Sequence, residues 1–212
     1  MFENKFANVM VLLDKLANYA VEEFFTSKQM DIGKVGILIH RKRGALGYCY
    51  LKDNWNMDNN EIREIALTPS CLSLGKEQIL NTLLHECVHA YNYQNGIKDG
   101  TGKNHNKKFK ETCDMIGLGC EKREKYGFGT SLEFNSDECN QRFESIFNKF
   151  TKEEIETLDK LSEIIPEKEE KEKDRNLCVF ICPVCGAKAR AKKEAHLMCG
   201  DCMQDMEGNV DD

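Results

Sequence analysis

The chain has 212 residues, enough for one modest domain and something smaller. It is 41% hydrophobic and 31% charged, with a net formal charge of −6, so it can build a core and is poorly suited to binding nucleic acid over its whole surface. No apolar run approaches the roughly 20 residues a membrane span needs, and the start, Met1-Phe2-Glu3-Asn4-Lys5, lacks a secretory pattern, so a cytoplasmic protein with no membrane partner is expected.

Glu3 to Phe25 has helical periodicity, with Phe6, Val9, Met10, Leu13, Leu16, Ala17 and Ala20 on one face. Three short strand-like runs follow: Val35 to His40, Leu46 to Leu51, and Ile62 to Leu67 before Pro69. Gly75 to Asn95 reads as a long helix with Ile79, Leu80, Leu83, Leu84, Cys87, Val88 and Tyr91 as its apolar face and Gly96 as its stop. A polar loop containing glycines covers Gly96 to Asn106, and another helix covers Lys107 to Ile116. Ser136 caps a helix whose Phe143, Ile146, Phe147 and Phe150 share a face. Thr151 and Glu154 have capping-box spacing for a further helix ending near Pro166. Glu167 to Asn176 is a mixed charge run, read as a solvated linker, and the remainder is rich in cysteine. This divides the chain into a core (1–130), a helical and charged linker (131–176) and a small C-terminal unit (177–212).

His85-Glu86-Cys87-Val88-His89 is an H-E-x-x-H sequence inside the long helix. At 3.6 residues per turn, positions i and i+4 share a face, so both imidazoles can reach one metal ion. Neutral imidazole nitrogens suit zinc at about 2.0–2.1 Å. Glu86, on a neighbouring face, is placed to act as general base toward a water activated by the metal. The bland alternative is a pair of histidines on a polar helix face. A catalytic zinc needs a third protein ligand and an open fourth position. His105, beyond the glycine-containing loop, is the leading candidate, and Glu111 on the next helix is the rival.

Eleven cysteines in a reducing compartment point to metal binding or burial before disulfides. Cys182-x-x-Cys185 and Cys199-x-x-Cys202 are two knuckles with the spacing of a closed, four-thiolate structural zinc. So small a segment would draw much of its folding energy from the metal. Cys49, Cys71, Cys87, Cys113, Cys120 and Cys139 read as buried small apolar residues, and Cys178 as surplus to the knuckles. Lys188, Arg190, Lys192 and Lys193 cluster within this segment and form a candidate DNA contact.

The segment Thr82 to Tyr91, carrying His85-Glu86-Cys87-Val88-His89, resembles the active-site helix of SprT-like (Spartan-type) metalloproteases. His105 followed by Phe109 is similar to the family's downstream H-G-x-x-F segment, although Asn104 and Asn106 stand where the family has glycines. Ile65-Ala66-Leu67 resembles the strand before that helix. Phe180 leading into Cys182, with Met198 to Cys202, resembles the zinc ribbon of bacterial and phage members. The likeness spans about residues 1–125 and 177–206. It implies an α+β, zincin-like core with His85, His89 and His105 as zinc ligands and Glu86 as base. It further implies a second, structural zinc in the ribbon, and proteolysis of proteins associated with or crosslinked to DNA. The competing expectations are a zinc-ribbon adaptor for DNA or protein whose histidine site is residual, and a zinc hydrolase acting on a non-protein amide.

Overall fold

The computed structural model describes residues 5–52, 55–57, 60–164 and 177–209. It divides into two compact units, Met1–Pro166 and Glu167–Asp212. The fold is mixed α and β.

The first unit opens with α1 (Lys5–Phe24), whose apolar stripe buries Val9, Leu12, Leu13, Leu16, Ala17, Ala20 and Phe24. Phe6, assigned to that stripe from its spacing, is 60% exposed. A four-stranded sheet follows, built from β1 (Lys34–Ile39), β2 (Gly47–Cys49), β3 (Trp55–Met57) and β4 (Asn60–Leu67). β4 pairs in parallel with β1 and antiparallel with β2 and β3. Its central position explains the apolar end of the strand: Ile65, Ala66 and Leu67 are fully buried.

The sheet gives way to helix at Thr68, whose hydroxyl accepts from the Cys71 N–H and starts α2 (Pro69–Leu72) with proline in the first turn. Next comes α3 (Lys76–Gln94), the central helix. It packs against α1, β2 and β4, so its polar Asn81, Thr82, Glu86 and Asn92 are buried beside its apolar residues.

The segment expected to be loop contains a small hairpin, β5 (Gly100–Thr101) with β6 (Asn104–His105). α4 (Lys107–Ile116) starts on an Asn106 cap, whose Oδ1 accepts from Lys108 N and Phe109 N, and packs on α3. A second ribbon, β7 (Cys120–Lys122) with β8 (Phe128–Thr130), follows.

The first unit continues past residue 130. α5 (Asp137–Phe147) starts on the Ser136 cap and α6 (Lys152–Asp159) on the complete Thr151–Glu154 capping box. A break at Lys160 separates α6 from α7 (Leu161–Ile164). Phe143, Ile146, Phe147, Phe150, Leu158 and Leu161 belong to the same buried core as α1 and α3. Phe143 meets Phe24 edge to face at 5.8 Å, Arg142 lies over Phe24 at 3.8 Å, and Lys15 pairs with Glu154 at 2.7 Å. Residues 131–164, expected as linker helices, are therefore core: their aromatic faces complete the burial of α1. The expected helix end near Pro166 and the charge run 167–176 lie outside the described residues.

The second unit contains β9 (Leu177–Ile181), β10 (Lys188–Lys192), β11 (Met198–Cys199), β12 (Gln204–Asp205) and β13 (Glu207–Asn209). β9 lies between β10 and β13, and β11 pairs with β12. Among the described residues, no helix is long and apolar enough to cross a membrane.

Candidate metal centres and cleft

His85 and His89 lie one turn apart on α3, and β6 brings His105 to them. The three ring centroids form a nearly equilateral triangle: 5.0 Å for His85–His89, 4.8 Å for His85–His105 and 4.9 Å for His89–His105. One nitrogen from each ring falls within 4.8 Å of the others, and the Nε2 atoms of His89 and His105 are 3.1 Å apart. Two nitrogens bound to one zinc at about 2.05 Å in tetrahedral geometry would be about 3.3 Å apart.

The opposite nitrogens are engaged. His85 Nδ1 lies 3.1 Å from Thr130 Oγ1, His89 Nδ1 lies 2.7 Å from Asp99 Oδ2, and His105 Nδ1 donates to Phe128 O at 2.9 Å. Acceptors behind the rings fix their orientation and tautomer and direct the remaining nitrogens inward. Asp99 also accepts from Asn92 Nδ2 at 3.0 Å, and Asn92 Oδ1 accepts from Thr112 Oγ1 at 2.6 Å, which ties α4 into the same network. The Phe109 ring lies 4.3–4.9 Å from all three imidazoles and forms an apolar floor beneath them. The sequence picked out the histidines, and the family resemblance Phe109, but neither pointed to Asp99 or Thr130, which lie in segments with no local pattern.

His105 is held by close backbone contacts. Its N–H donates to Tyr126 O at 3.0 Å, and the residue bridges to Gly127. Gly127 has φ +72°, and a Cβ there would sit 2.1 Å from His105 O, so the contact requires glycine. The residue flanking His105 on its other side, Asn106, serves instead as the cap of α4. Glu111, the rival third ligand, is exposed on α4 and faces Lys107 at 4.0 Å. The structure brings His105, and not Glu111, to the other two histidines.

Glu86 is 5% exposed on α3 beneath β2. Its carboxylate accepts from the Cys49 backbone N–H, and burial pushes its pKa up to about 7. Burial also lowers His85 and His105, which keeps them neutral as metal ligands must be. For His89, burial lowers the pKa, but the hydrogen bond to Asp99 and the nearby Glu86 outweigh it and leave the group raised. The histidines and Glu86 line a cleft of about 640 Å³ between the β1–β2 connection, α3 and the two small ribbons. Three imidazole nitrogens, each on a ring backed by a polar partner and opening on a cleft, form a donor set that could hold a metal and is consistent with zinc.

In the second unit, Cys182, Cys185, Cys199 and Cys202 bring their Sγ atoms within 4.8 Å of one another. The Cys185–Cys199 separation is 3.6 Å, close to the roughly 3.8 Å between thiolates on a tetrahedral zinc. Tight turns form the knuckles, with Gly186 N–H donating to Cys182 O at 2.9 Å and Met203 N–H to Cys199 O at 2.8 Å. Backbone N–H donation from Cys185 draws the Cys182 thiol down to about 7, toward the thiolate a metal needs. Neither Cys178 nor His196 belongs to this group. This cluster too could hold a metal and could form a zinc ribbon.

No curated protein and no solved structure matches the chain. The sequence profile of the SprT-like family matches residues 13–125, from within α1 through the histidine cluster to the β7–β8 connection, and stops short of the cysteine knuckles. Since that match spans more than half of the chain and contains the three histidines, Glu86 and Asp99, with only the supports at Tyr126, Gly127, Phe128 and Thr130 past its end, the protein belongs to the SprT-like family and carries a metalloprotease-type domain.

Proposed function

We propose that the protein is a zinc metallopeptidase of the H-E-x-x-H type with a zincin-like core, His85, His89 and His105 being the metal ligands and Glu86 the general base. The observation that carries this is the convergence of three imidazole nitrogens whose opposite nitrogens are all engaged, beside a buried carboxylate. Zinc at such a site supplies a Lewis acid and lowers the pKa of a coordinated water to about 7. Glu86 takes the proton of the attacking water and passes it to the leaving amine nitrogen. The Cys49 N–H orients the carboxylate for both transfers. Thr130, Asp99 and Phe128 keep the rings from rotating. An adaptor with a purely structural histidine site would gain nothing from Glu86, since burying a carboxylate with no ion-pair partner costs stability.

The four cysteines are assigned a second, structural zinc, for two ions per chain. DNA-associated or DNA-crosslinked proteins are the proposed substrates, with the ribbon as the recruiting element. Lys188, Arg190 and Lys192 are exposed at alternate positions of β10, so one strand face carries three cations spaced about 6.6 Å apart, followed by exposed Lys193. Eleven cysteines, none in a disulfide, fit a reducing, cytoplasmic compartment. The decisive experiment is turnover of an unfolded protein substrate by the zinc-loaded chain. Chelation should abolish cleavage and added zinc should restore it; cleavage that survives chelation would exclude the metallopeptidase.

A further inference from the structure

Among the described residues, three exposed cations stand on the walls of the cleft without a carboxylate in ion-pair contact. The Lys42 ammonium lies 4.1 Å from the centre of the Tyr48 ring, Lys103 Nζ donates to Gly44 O at 3.0 Å, and Arg123 Nη2 donates to Thr130 O at 2.7 Å. All these partners are neutral. Among the described residues, some other cations of the same unit have acidic partners, as Lys15 with Glu154, Lys76 with Asp159, Lys110 with Asp114 and Arg142 with Glu23, while Arg63 donates to the neutral Ala90 O. Among the described residues, the two carboxylates that line the cleft are withdrawn from its mouth, Glu86 by burial and Asp99 by its bonds to His89 and Asn92. In a chain of net charge −6, a cleft rim holding Lys42, Lys103 and Arg123, with no ion-paired acid among the described residues and only the buried Glu86 acting on Lys42 through space, carries a local positive field.

We propose that these three side chains set substrate preference: the cleft selects polypeptide segments carrying Asp or Glu close to the scissile bond. The preference rests on the peptidase function proposed above and refines it. It is compatible with DNA-bound substrates, because a DNA-binding protein keeps its basic face on the phosphates and presents its acidic segments to solvent. Each exposed pair is worth roughly two- to fivefold, so three together should separate acidic from basic peptides by about tenfold or more at low ionic strength, and salt should shrink the difference.

The test uses full-length protein and three fluorescent peptides with one common apolar centre and flanking Glu, Gln or Lys. Binding is read by anisotropy on the zinc-loaded Glu86→Gln protein, and turnover on the unsubstituted protein. Tightest binding and lowest KM for the Glu-flanked peptide, with both advantages fading as salt rises, is the expected result. Equal binding of all three, or preference for Lys, overturns the proposal. Replacing Lys42→Glu and Lys103→Glu together leaves the Arg123 bond to Thr130 intact and should reverse the order; if that protein fails to fold, the peptide and salt series decides alone. A single-stranded oligonucleotide that displaces the Glu-flanked peptide and binds more tightly than it does would assign the cations to phosphates and overturn the preference. Binding of the acidic peptide without any turnover would count against the peptidase and leave the preference standing. Turnover indifferent to flanking charge would do the reverse.

Discussion

Asp99 Oδ2 lies 2.7 Å from His89 Nδ1 and 3.0 Å from Asn92 Nδ2, so one carboxylate fixes both the outward nitrogen of a proposed metal ligand and the last turns of the helix that carries it. Support of this kind typically contributes 10- to 100-fold to metal affinity. Asp99→Asn should weaken zinc binding on that scale, measured by competition against a chromogenic chelator. Activity should return when zinc is raised, because the three ligands remain. An unchanged zinc affinity would show that Asp99 does not orient His89.

Glu86 and His85 are adjacent in the chain but carry different roles in the proposed mechanism. Glu86→Gln keeps the size of the side chain and removes its basicity, so the protein should hold its zinc yet cleave on the order of 100-fold or more slowly. His85→Ala should lose activity through loss of the metal. Elemental analysis beside turnover separates the two. Near-normal cleavage by zinc-replete Glu86→Gln would transfer the base role to another group.

The third ligand and the metal count can be checked together. His105 sits within the imidazole triangle, while Glu111 is exposed beside Lys107. Native mass spectrometry should count two zinc ions per chain, fall to one in His105→Ala, and remain at two in Glu111→Ala. Replacing Cys182 and Cys185 should remove the other ion and spare the histidine site. One zinc in the parent protein, or loss with Glu111→Ala, would contradict these assignments.

Gly47 faces α3 from β2 at close range. A Cβ there would lie 2.9 Å from Thr82 Cγ2 and 3.1 Å from Glu86 Cγ and Oε1. Gly47→Val should therefore displace the Glu86 carboxylate and overpack the strand–helix contact, at about 1–3 kcal/mol of stability. The expected signature is a fall in kcat larger than any change in zinc content, together with a lower Tm. Full activity in Gly47→Val would show that Glu86 can move without consequence.

The extent of the first unit is open to a direct test. A chain ending at residue 130 lacks Phe143, Ile146, Phe147 and Leu158, which are buried against the rest of the core, and should not fold. A chain ending at residue 166 should fold and keep its histidine metal. In the full chain, Phe143→Ala should cost about 3–5 kcal/mol in chemical denaturation. Cooperative unfolding of the 1–130 chain at normal stability would restore the boundary inferred from composition.

Those boundaries show what local pattern can and cannot carry. The H-E-x-x-H spacing, the Ser136 cap, the Thr151–Glu154 capping box and the two cysteine knuckles were legible because each depends on neighbours within a few residues. The periodicity of Ile79, Leu80, Leu83 and Leu84 identified α3 for the same reason. By itself the sequence determined the longer helices, the mixed α and β class, and the residues able to hold metal. Tertiary structure alone decided that His105 rather than Glu111 completes the triangle, through two ribbons with strands of only two or three residues, too short to show a period-two pattern. It also decided that Asp99 and Thr130 stand behind the histidines, and that the aromatic faces of α5 and α6 close the core over α1. These are contacts between residues far apart in the chain. A side chain's type and spacing state what it can bind, but its partner is set by where the folded backbone places it.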